Sequence, residues 1–335
     1  MPRLRQNIVT GDWVVIAPER SKRPQDFVQA ASAKRSSKKD CPFCLGKDSA
    51  YKFSIKEAET DNIYVIPNKY PAFVSQDEVT LREGEDYPSY KSLGGHEVIV
   101  LKNHDTELVD LKRPILEEYY HLYQERLKFY RDNPTIEYSM IIHNYGPEPG
   151  ASIEHPHSQL FASSIVPPLI EREIVGSRKF FKRKNQCLFC WLVEQEQEKK
   201  IRVIAENRYF LAFTFFAARF PFEIWILPKE HQPFFEEINR SQRLALVETF
   251  QRVLAKLNKS LNTPPYNYFI HSTPPRMEEA GQVEKYYHWH LELLPRVSLF
   301  GGYELGSGLV IDVVSPEKAA LFLNEGSKEN GQTYA

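Results

Sequence analysis

The 335-residue chain has no surplus of either charge: 43 Lys and Arg stand against 44 Asp and Glu, for a formal charge of −1. A nucleic-acid binder usually carries a basic excess, so no nucleic-acid partner is expected, and a small-molecule partner is. A long apolar run is also missing. The most apolar stretch, Tyr209 to Leu227, is broken by Arg219, Pro221 and Glu223. A membrane span needs about 20 apolar residues, so two consecutive strands are expected there and no membrane partner. The opening Met1-Pro2-Arg3-Leu4-Arg5-Gln6 has no apolar signal-peptide core. Cysteine is scarce, with four residues in two CxxC pairs, Cys41/Cys44 and Cys187/Cys190. Without an export signal such pairs favour metal ligation over disulfides, and the chain is expected to be cytoplasmic.

What remains is a folded composition, 42% hydrophobic and 13% aromatic, long enough for two domains or one duplicated core. The order of features repeats. In the first half, Cys41-Pro42-Phe43-Cys44 is followed by strand patterns at Ile63–Ile66 and Glu97–Leu101. Next come His104, a helical pattern from Leu116 to Tyr130, a strand at Ser139–His143, and His155-Pro156-His157. In the second half, Cys187-Leu188-Phe189-Cys190 leads to Phe222–Leu227, His231, a helical pattern from Arg243 to Leu261, Tyr266–His271, and His288-Trp289-His290. Tyr138 and Tyr266 each stand five residues before a histidine, which sets these two strands in parallel. The repeat is read as a duplicated α+β unit, each copy an antiparallel sheet with a covering helix. The boundaries are placed at 1–175 and 176–335.

Two thiolates and two imidazoles suit a tetrahedral zinc shell. The candidates are Cys41, Cys44, His104 and one histidine of the first row, and Cys187, Cys190, His231 and His288 or His290. Two structural zinc sites are expected. His96, His121, His143 and His271 are read as core or surface residues.

The first row carries the chemistry. On an extended backbone His155, His157 and Gln159 project to one side. An imidazole not held by metal is a competent nucleophile at pH 7 and forms a labile phosphoramidate on phosphorus. Gln159 could then donate to a phosphoryl oxygen as charge builds there. The upstream turn from Asn144 to Ser152 supplies an amide, a hydroxyl and backbone N–H groups for an anion. The basic loop Glu19–Pro24 reads locally as a solvated charge cluster.

HxHxQ after an N-x-G-x₃-G-x-S turn, with an N-terminal R-x-x-R-P loop, resembles the galactose-1-phosphate uridylyltransferases, a nucleotidyltransferase branch of the histidine-triad superfamily. The resemblance runs from Thr10-Gly11-Asp12-Trp13 to Gly302-Tyr303-Glu304. It implies a ping-pong reaction in which His157 takes UMP from UDP-glucose and passes it to galactose 1-phosphate. It also implies His155 as the fourth ligand beside Cys41, Cys44 and His104, and a possible homodimer. Arg20 and Arg23 would meet phosphate, reversing the local reading of their loop. Asn68 would lie near the nucleotide, Asn144, Gly150, Ser152 and Gln159 at the phosphoryl site, and Tyr303 and Glu304 at the sugar.

The chain departs from that pattern in two places. Glu173 matches an acidic ligand that some members use at a second metal, in competition with the shell of Cys187, Cys190, His231 and His288. The lysine before and the glutamine after Gly-Tyr-Glu are absent, and Asn68-Lys69 replaces an Asn-Asp pair. The first change is similar to relatives acting as ADP-glucose phosphorylases; the second replaces the pair that reads uracil and ribose, which leaves the base open. The second row, with Glu292 in the place of Gln159, is read as the non-catalytic copy.

Overall fold

The computed structural model describes residues 1–20, 27, 28, 38, 41–44, 49–75, 87, 91–146, 153–277 and 282–326, the Arg20 side chain excepted. The strands are β1 (Arg3–Gln6), β2 (Trp13–Ile16), β3 (Ile63–Pro67), β4 (Gly94–Leu101), β5 (Tyr138–Tyr145), β6 (His157–Ser163), β7 (Val203–Glu206), β8 (Phe210–Thr214), β9 (Ile224–Pro228), β10 (Tyr266–His271), β11 (His290–Pro295) and β12 (Val310–Asp312). The helices are α1 (Arg113–Arg131), α2 (Pro168–Lys184), α3 (Leu188–Lys199), α4 (Arg240–Leu261), α5 (Val283–Tyr286), α6 (Gly302–Ser307) and α7 (Pro316–Glu325). The broken apolar stretch forms β8 and β9, and among the described residues no helix is long and apolar enough to cross a membrane.

Among the described residues nine strands form one sheet in the order β3-β4-β6-β5-β10-β11-β9-β8-β7. Its centre is the antiparallel pair β5/β10, with Tyr145 opposite Tyr266 and Ile141 opposite Ile270. Outward from that pair the order is β5-β6-β4-β3 on one side and β10-β11-β9-β8 on the other, with β7 added at the edge. The duplication is therefore written into the sheet as two antiparallel four-strand units joined edge to edge. A small second sheet, β1-β2-β12, ties the two ends of the chain together through a parallel β2/β12 pair. The 175/176 position falls inside α2, which packs against α3 and α5.

One face of the large sheet is covered by α1 and α4, which also pack on each other. Helix α1 buries Leu116, Tyr119, Tyr120, Tyr123, Leu127 and Tyr130, a stripe at helical spacing. Helix α4 starts at an Asn239/Gln242 capping box and buries Leu246, Val247, Phe250, Val253, Leu254, Leu257 and Leu261. Arg126 of α1 grips Glu97 of β4 through two bonds of 2.8 and 2.6 Å, and the Tyr130 hydroxyl donates to the same carboxylate at 2.9 Å. Gly95 lets this helix lie so close, since a Cβ there would come within 2.2 Å of the Tyr130 hydroxyl. These contacts hold β4 in place, and β4 carries part of the site on its other face.

Candidate active site and metal-ligand clusters

The first row enters the sheet as β6, between β4 and β5. Gln159 pairs with Val98 and with Ile142, and His157 pairs with Val100. The two-residue period puts His157, Gln159 and Phe161 on the face away from α1 and α4, together with His96 and Val98 of β4 and Asn144 of β5. Ser158 points the other way, where it receives the Tyr119 hydroxyl at 3.0 Å and lies 2.8 Å from His143 Nδ1. Tyr123 also bonds Ser158 and continues the network to Tyr268 at 2.8 Å. Burial pulls the His143 imidazole down to about 3, so it is a neutral partner of this network, which pins β6 from behind.

At the head of the row Cys41, Cys44, His104 and His155 bring four donor atoms within 4.8 Å of one another. The Cys41 Sγ–His155 Nδ1, Cys44 Sγ–His155 Nδ1 and Cys44 Sγ–His104 Nδ1 distances are 3.5, 3.6 and 3.3 Å. A tetrahedral ion at sulfur and nitrogen bond lengths of roughly 2.3 and 2.0–2.1 Å would space S and N about 3.6 Å apart. The donor set fits such an ion. His155 Nε2 faces the Leu101 carbonyl at 2.5 Å, so that nitrogen carries the proton and Nδ1 presents its lone pair to the cysteines. Burial, then neighbouring Cys41, push the Cys44 thiol up to about 11. A bound cation would reverse that by favouring the thiolate. The knuckle is held to β3 by the Tyr64 hydroxyl on the Phe43 carbonyl, 2.6 Å. The Phe43 ring stands edge-on to His155 and His157 at centroid distances of 5.9 and 5.1 Å, so this cluster and the next imidazole share one wall.

His157 Nδ1 donates to the His155 carbonyl at 2.8 Å. The proton is thereby placed on Nδ1, and Nε2 keeps its lone pair. Burial lowers the ring below the ordinary imidazole range, so it is neutral near pH 7. Two residues on, Gln159 Oε1 lies 2.8 Å from His96 Nε2 and 3.4 Å from Asn68 Nδ2. Asn144 accepts from Asn267 Nδ2 at 2.7 Å, across the central strand pair.

In the second half Cys187, Cys190, His231 and His288 form the corresponding donor group. Cys190 Sγ is 3.4 Å from His231 Nδ1 and 3.7 Å from His288 Nδ1, while His231 Nε2 donates to the Glu284 carbonyl at 2.7 Å. Glu173 does not compete for this shell. It joins His271, His290 and Glu292 in a third, fully buried group whose donor atoms also lie within 4.8 Å. Glu173 Oε2 is 3.2 Å from His271 Nδ1 and accepts the Tyr287 hydroxyl at 2.6 Å. Arg219 already supplies a cation here, bonding Glu292 and reaching Glu223 at 3.1 Å. Burial would raise the Glu292 carboxyl; the Arg219 guanidinium, with His290 and His271, holds it down at about 2.

The N-terminal domain of the galactose-1-phosphate uridyl transferase family matches residues 1–167, and its C-terminal domain matches residues 173–297. The chain belongs to this family. An ADP-glucose phosphorylase of Arabidopsis thaliana is 33% identical, over 97% of this chain and 93% of its own. A galactose-1-phosphate uridylyltransferase of Thermotoga maritima is 29% identical, over 97% and 98%. The crystal structure of an Arabidopsis thaliana ADP-glucose phosphorylase with bound ADP-glucose superposes with a TM-score of 0.82 at 31% identity, covering 98% of this chain and all of the other.

The repeated CxxC, His and HxH order foretells the row and both cysteine clusters, the family pattern chooses His155 and His288, and the structure brings those residues together. Arg23, Gly150 and Ser152 lie outside the described residues, as does the Arg20 side chain. Tyr303 and Glu304 are on α6, where Tyr303 is exposed and Glu304 accepts the Gly301 N–H at 2.9 Å; among the described residues no hydrogen bond joins them to the row.

One expected parallel is displaced. Gln159 faces Ile142 whereas Glu292 faces Phe269, so His143 corresponds to Ile270 and His271 to Asn144. A one-residue shift reverses the face. His143 therefore lies under the helices, while His271 belongs to the row face. His96, His271, Asn267 and Arg219 were invisible as site residues in the sequence. Strand register brings His96, His271 and Asn267 to the row face, and the loop between β8 and β9 brings Arg219 to Glu292.

Proposed function

We propose that the chain is a nucleotidyltransferase in which His157 Nε2 attacks the α-phosphorus of a nucleotide sugar, releasing the sugar 1-phosphate and leaving a nucleotidyl-histidine. A second anionic acceptor then displaces the nucleotidyl group from His157, and the bond electrons return to Nε2. The observation that carries this reading is the tautomer of His157: its proton is committed to the His155 carbonyl, so the outward nitrogen is a neutral lone pair. Gln159 donates to a phosphoryl oxygen as charge develops. An amide there can neither give nor take a proton toward water, which favours transfer over hydrolysis. The 1–175 portion would supply this chemistry, and the 176–335 portion the non-catalytic copy.

Zinc suits both cysteine clusters by donor type and spacing. Cys41, Cys44, His104 and His155 would hold one ion, and Cys187, Cys190, His231 and His288 the other. All four ligands in each come from the protein, so the ions would be structural. The first would steady the Phe43 wall against His157.

UDP-glucose as donor and galactose 1-phosphate as acceptor is the reading carried by the family. A second reading, ADP-glucose with orthophosphate as acceptor, is favoured by Asn68-Lys69, by the missing lysine and glutamine around Gly302-Tyr303-Glu304, and by the likeness to the phosphorylase. The test is to incubate the protein with UDP-glucose or ADP-glucose labelled at the α-phosphate. Acid-labile label on the protein with one donor identifies the base. Label retained by His157→Asn would sink the mechanism.

A further inference from the structure

His96 of β4 occupies a position that the proposed chemistry does not use. It is nearly buried, its ring is stacked on Phe161 with centroids 3.9 Å apart, and the register sets it diagonally across from Gln159. The backbone contact decides its protonation pattern; Asn68 Nδ2 also lies 3.1 Å from His96 Nε2, and in that pattern the two nitrogens are side-by-side donors to one oxygen. The Ala72 backbone N–H donates to His96 Nδ1 at 3.2 Å, so Nδ1 is an acceptor and carries no proton. A neutral ring must then hold its proton on Nε2, and Nε2 lies 2.8 Å from Gln159 Oε1. Asn68 reinforces this. Its Oδ1 accepts from the Tyr70 N–H at 2.9 Å, which turns its Nδ2 toward the same Gln159 oxygen at 3.4 Å. Two donors converge on one end of the Gln159 side chain. Flipping that amide would set its NH₂ against both.

We propose that His96 is a positioning residue: as the Nε2–H tautomer it holds Gln159 Oε1 and thereby aims the Gln159 NH₂ at the transferring phosphoryl group. The proposal rests on the nucleotidyl-transfer reading for its consequence, but not for its geometry. No proton leaves His96 in this role; its N–H stays with the imidazole while the Gln159 amide makes its bond to the phosphoryl oxygen. Burial also depresses the ring's basicity, in keeping with a neutral donor. A purely structural His96, filling space on Phe161, would be replaced without kinetic effect by any flat ring.

The test has two arms on the full-length protein. In the first, ¹⁵N-histidine spectra without substrate read the His96 tautomer at pH 7. A protonated Nε2 and bare Nδ1 are expected; an Nδ1–H ring or a cationic ring overturns the proposal, whatever the enzyme acts on. In the second, single-turnover labelling by the nucleotide sugar compares His96→Phe, which keeps a stacked ring but no donor, with His96→Gln, which keeps an N–H near the position of Nε2. His96→Phe should slow label formation by roughly 10- to 100-fold with KM within about 2-fold of the wild type. His96→Gln should restore the rate to within about 3-fold. Gln159→Ala added to His96→Phe should cost little more, because the two residues act as one unit. Full activity of His96→Phe overturns the proposal, and so does failure of His96→Gln in a folded protein. If the wild type takes label from neither UDP-glucose nor ADP-glucose, the nucleotidyl-transfer reading falls, while the spectra still decide the orientation of Gln159.

Discussion

The two rows, His155-Pro156-His157-Ser158-Gln159 and His288-Trp289-His290-Leu291-Glu292, lie in matching places on either side of the β5/β10 seam, and their surroundings differ. Both second histidines donate Nδ1–H to a carbonyl two residues back, at 2.8 Å for His157 and 3.1 Å for His290. The difference lies in what surrounds Nε2. His157 has one aromatic neighbour at its edge, Phe43, whereas His290 is clamped between Phe189 and Trp225, stacked at 4.9 and 4.8 Å. Its Nε2 is 3.4 Å from Glu292 Oε1 and 3.8 Å from Glu173 Oε2. Those carboxylates would repel a diphosphate, and the rings leave it no way in. The partners of the third position differ to match. Val98 pairs with Gln159 and Trp225 with Glu292, so His96 and Glu223 occupy equivalent places. The first half presents a neutral donor pair; the second is filled by Arg219 and three carboxylates. On the proposed reading, charge and aromatic packing would silence the second imidazole with its backbone geometry intact.

The sharpest way to break this comparison is to remove each nucleophile candidate in turn. His157→Asn should reduce formation of the protein-bound label by at least about 10³-fold, with thermal unfolding little changed. His290→Asn should leave the labelling rate per folded molecule within about 3-fold, since nothing reacts there, while lowering stability. Labelling that follows His290 instead would invert the assignment of the rows.

Making the first row resemble the second is the next largest effect. Gln159→Glu places a carboxylate where phosphoryl charge develops and removes the donor, so kcat should fall roughly 10²- to 10³-fold. The converse change, Glu292→Gln, should create no activity in a His157→Asn background, because Phe189 and Trp225 still close the second site. Activity in that double variant would mean that charge alone had silenced it.

The metal clusters offer a milder contrast. Cys44→Ser and Cys190→Ser should each cost one bound ion by elemental analysis. Only the first should also slow labelling, by roughly 10- to 100-fold, through Phe43 and the His155 carbonyl that holds His157. Cys190→Ser should lower Tm with the labelling rate of the folded fraction unchanged. Equal kinetic losses would mean that the clusters are not divided in this way.

Much of this was legible before the fold was known, and what was not has a common cause. Spacing within one segment disclosed the CxxC pairs, the rows and the helices over Leu116–Tyr130 and Arg243–Leu261, because each depends on contacts along a few turns of chain. His96, Asn267 and His271 join the site through cross-strand register, and Arg219 through the loop between β8 and β9; local sequence encodes neither. The mistaken pairing of His143 with His271 shows the scale of the problem. A shift of one residue in counting set His271 beside a helix-face histidine, whereas register puts it on the row face. Glu173 stands apart from the cysteine shell, in a group with His271, His290 and Glu292 whose donor atoms are close enough to hold an ion of their own. Its residue type suits a ligand, but its neighbours proved to be Tyr287, His271 and His290 instead of the cysteines.

The last expected effect is on stability and leaves the rate of the folded protein aside: it concerns pH and distinguishes a structural charge network from a catalytic one. Glu292 is fully buried and held at about 2, below the ordinary glutamate value of about 4.3. A depressed folded pKa contributes stability that is present above the unfolded value and is lost as pH falls through the folded one. Between about pH 4.3 and pH 2 the wild type should therefore lose this contribution. Glu292→Gln removes it at every pH and leaves Arg219 with Glu223 and the more distant Glu173, which should cost roughly 3–5 kcal/mol at pH 7. The two proteins should then converge in stability on acidification, as measured by urea unfolding from pH 7 to pH 3. A gap that stays constant across that range would mean that Glu292 enters the fold protonated, and the charge-filled account of the second row would have to be abandoned.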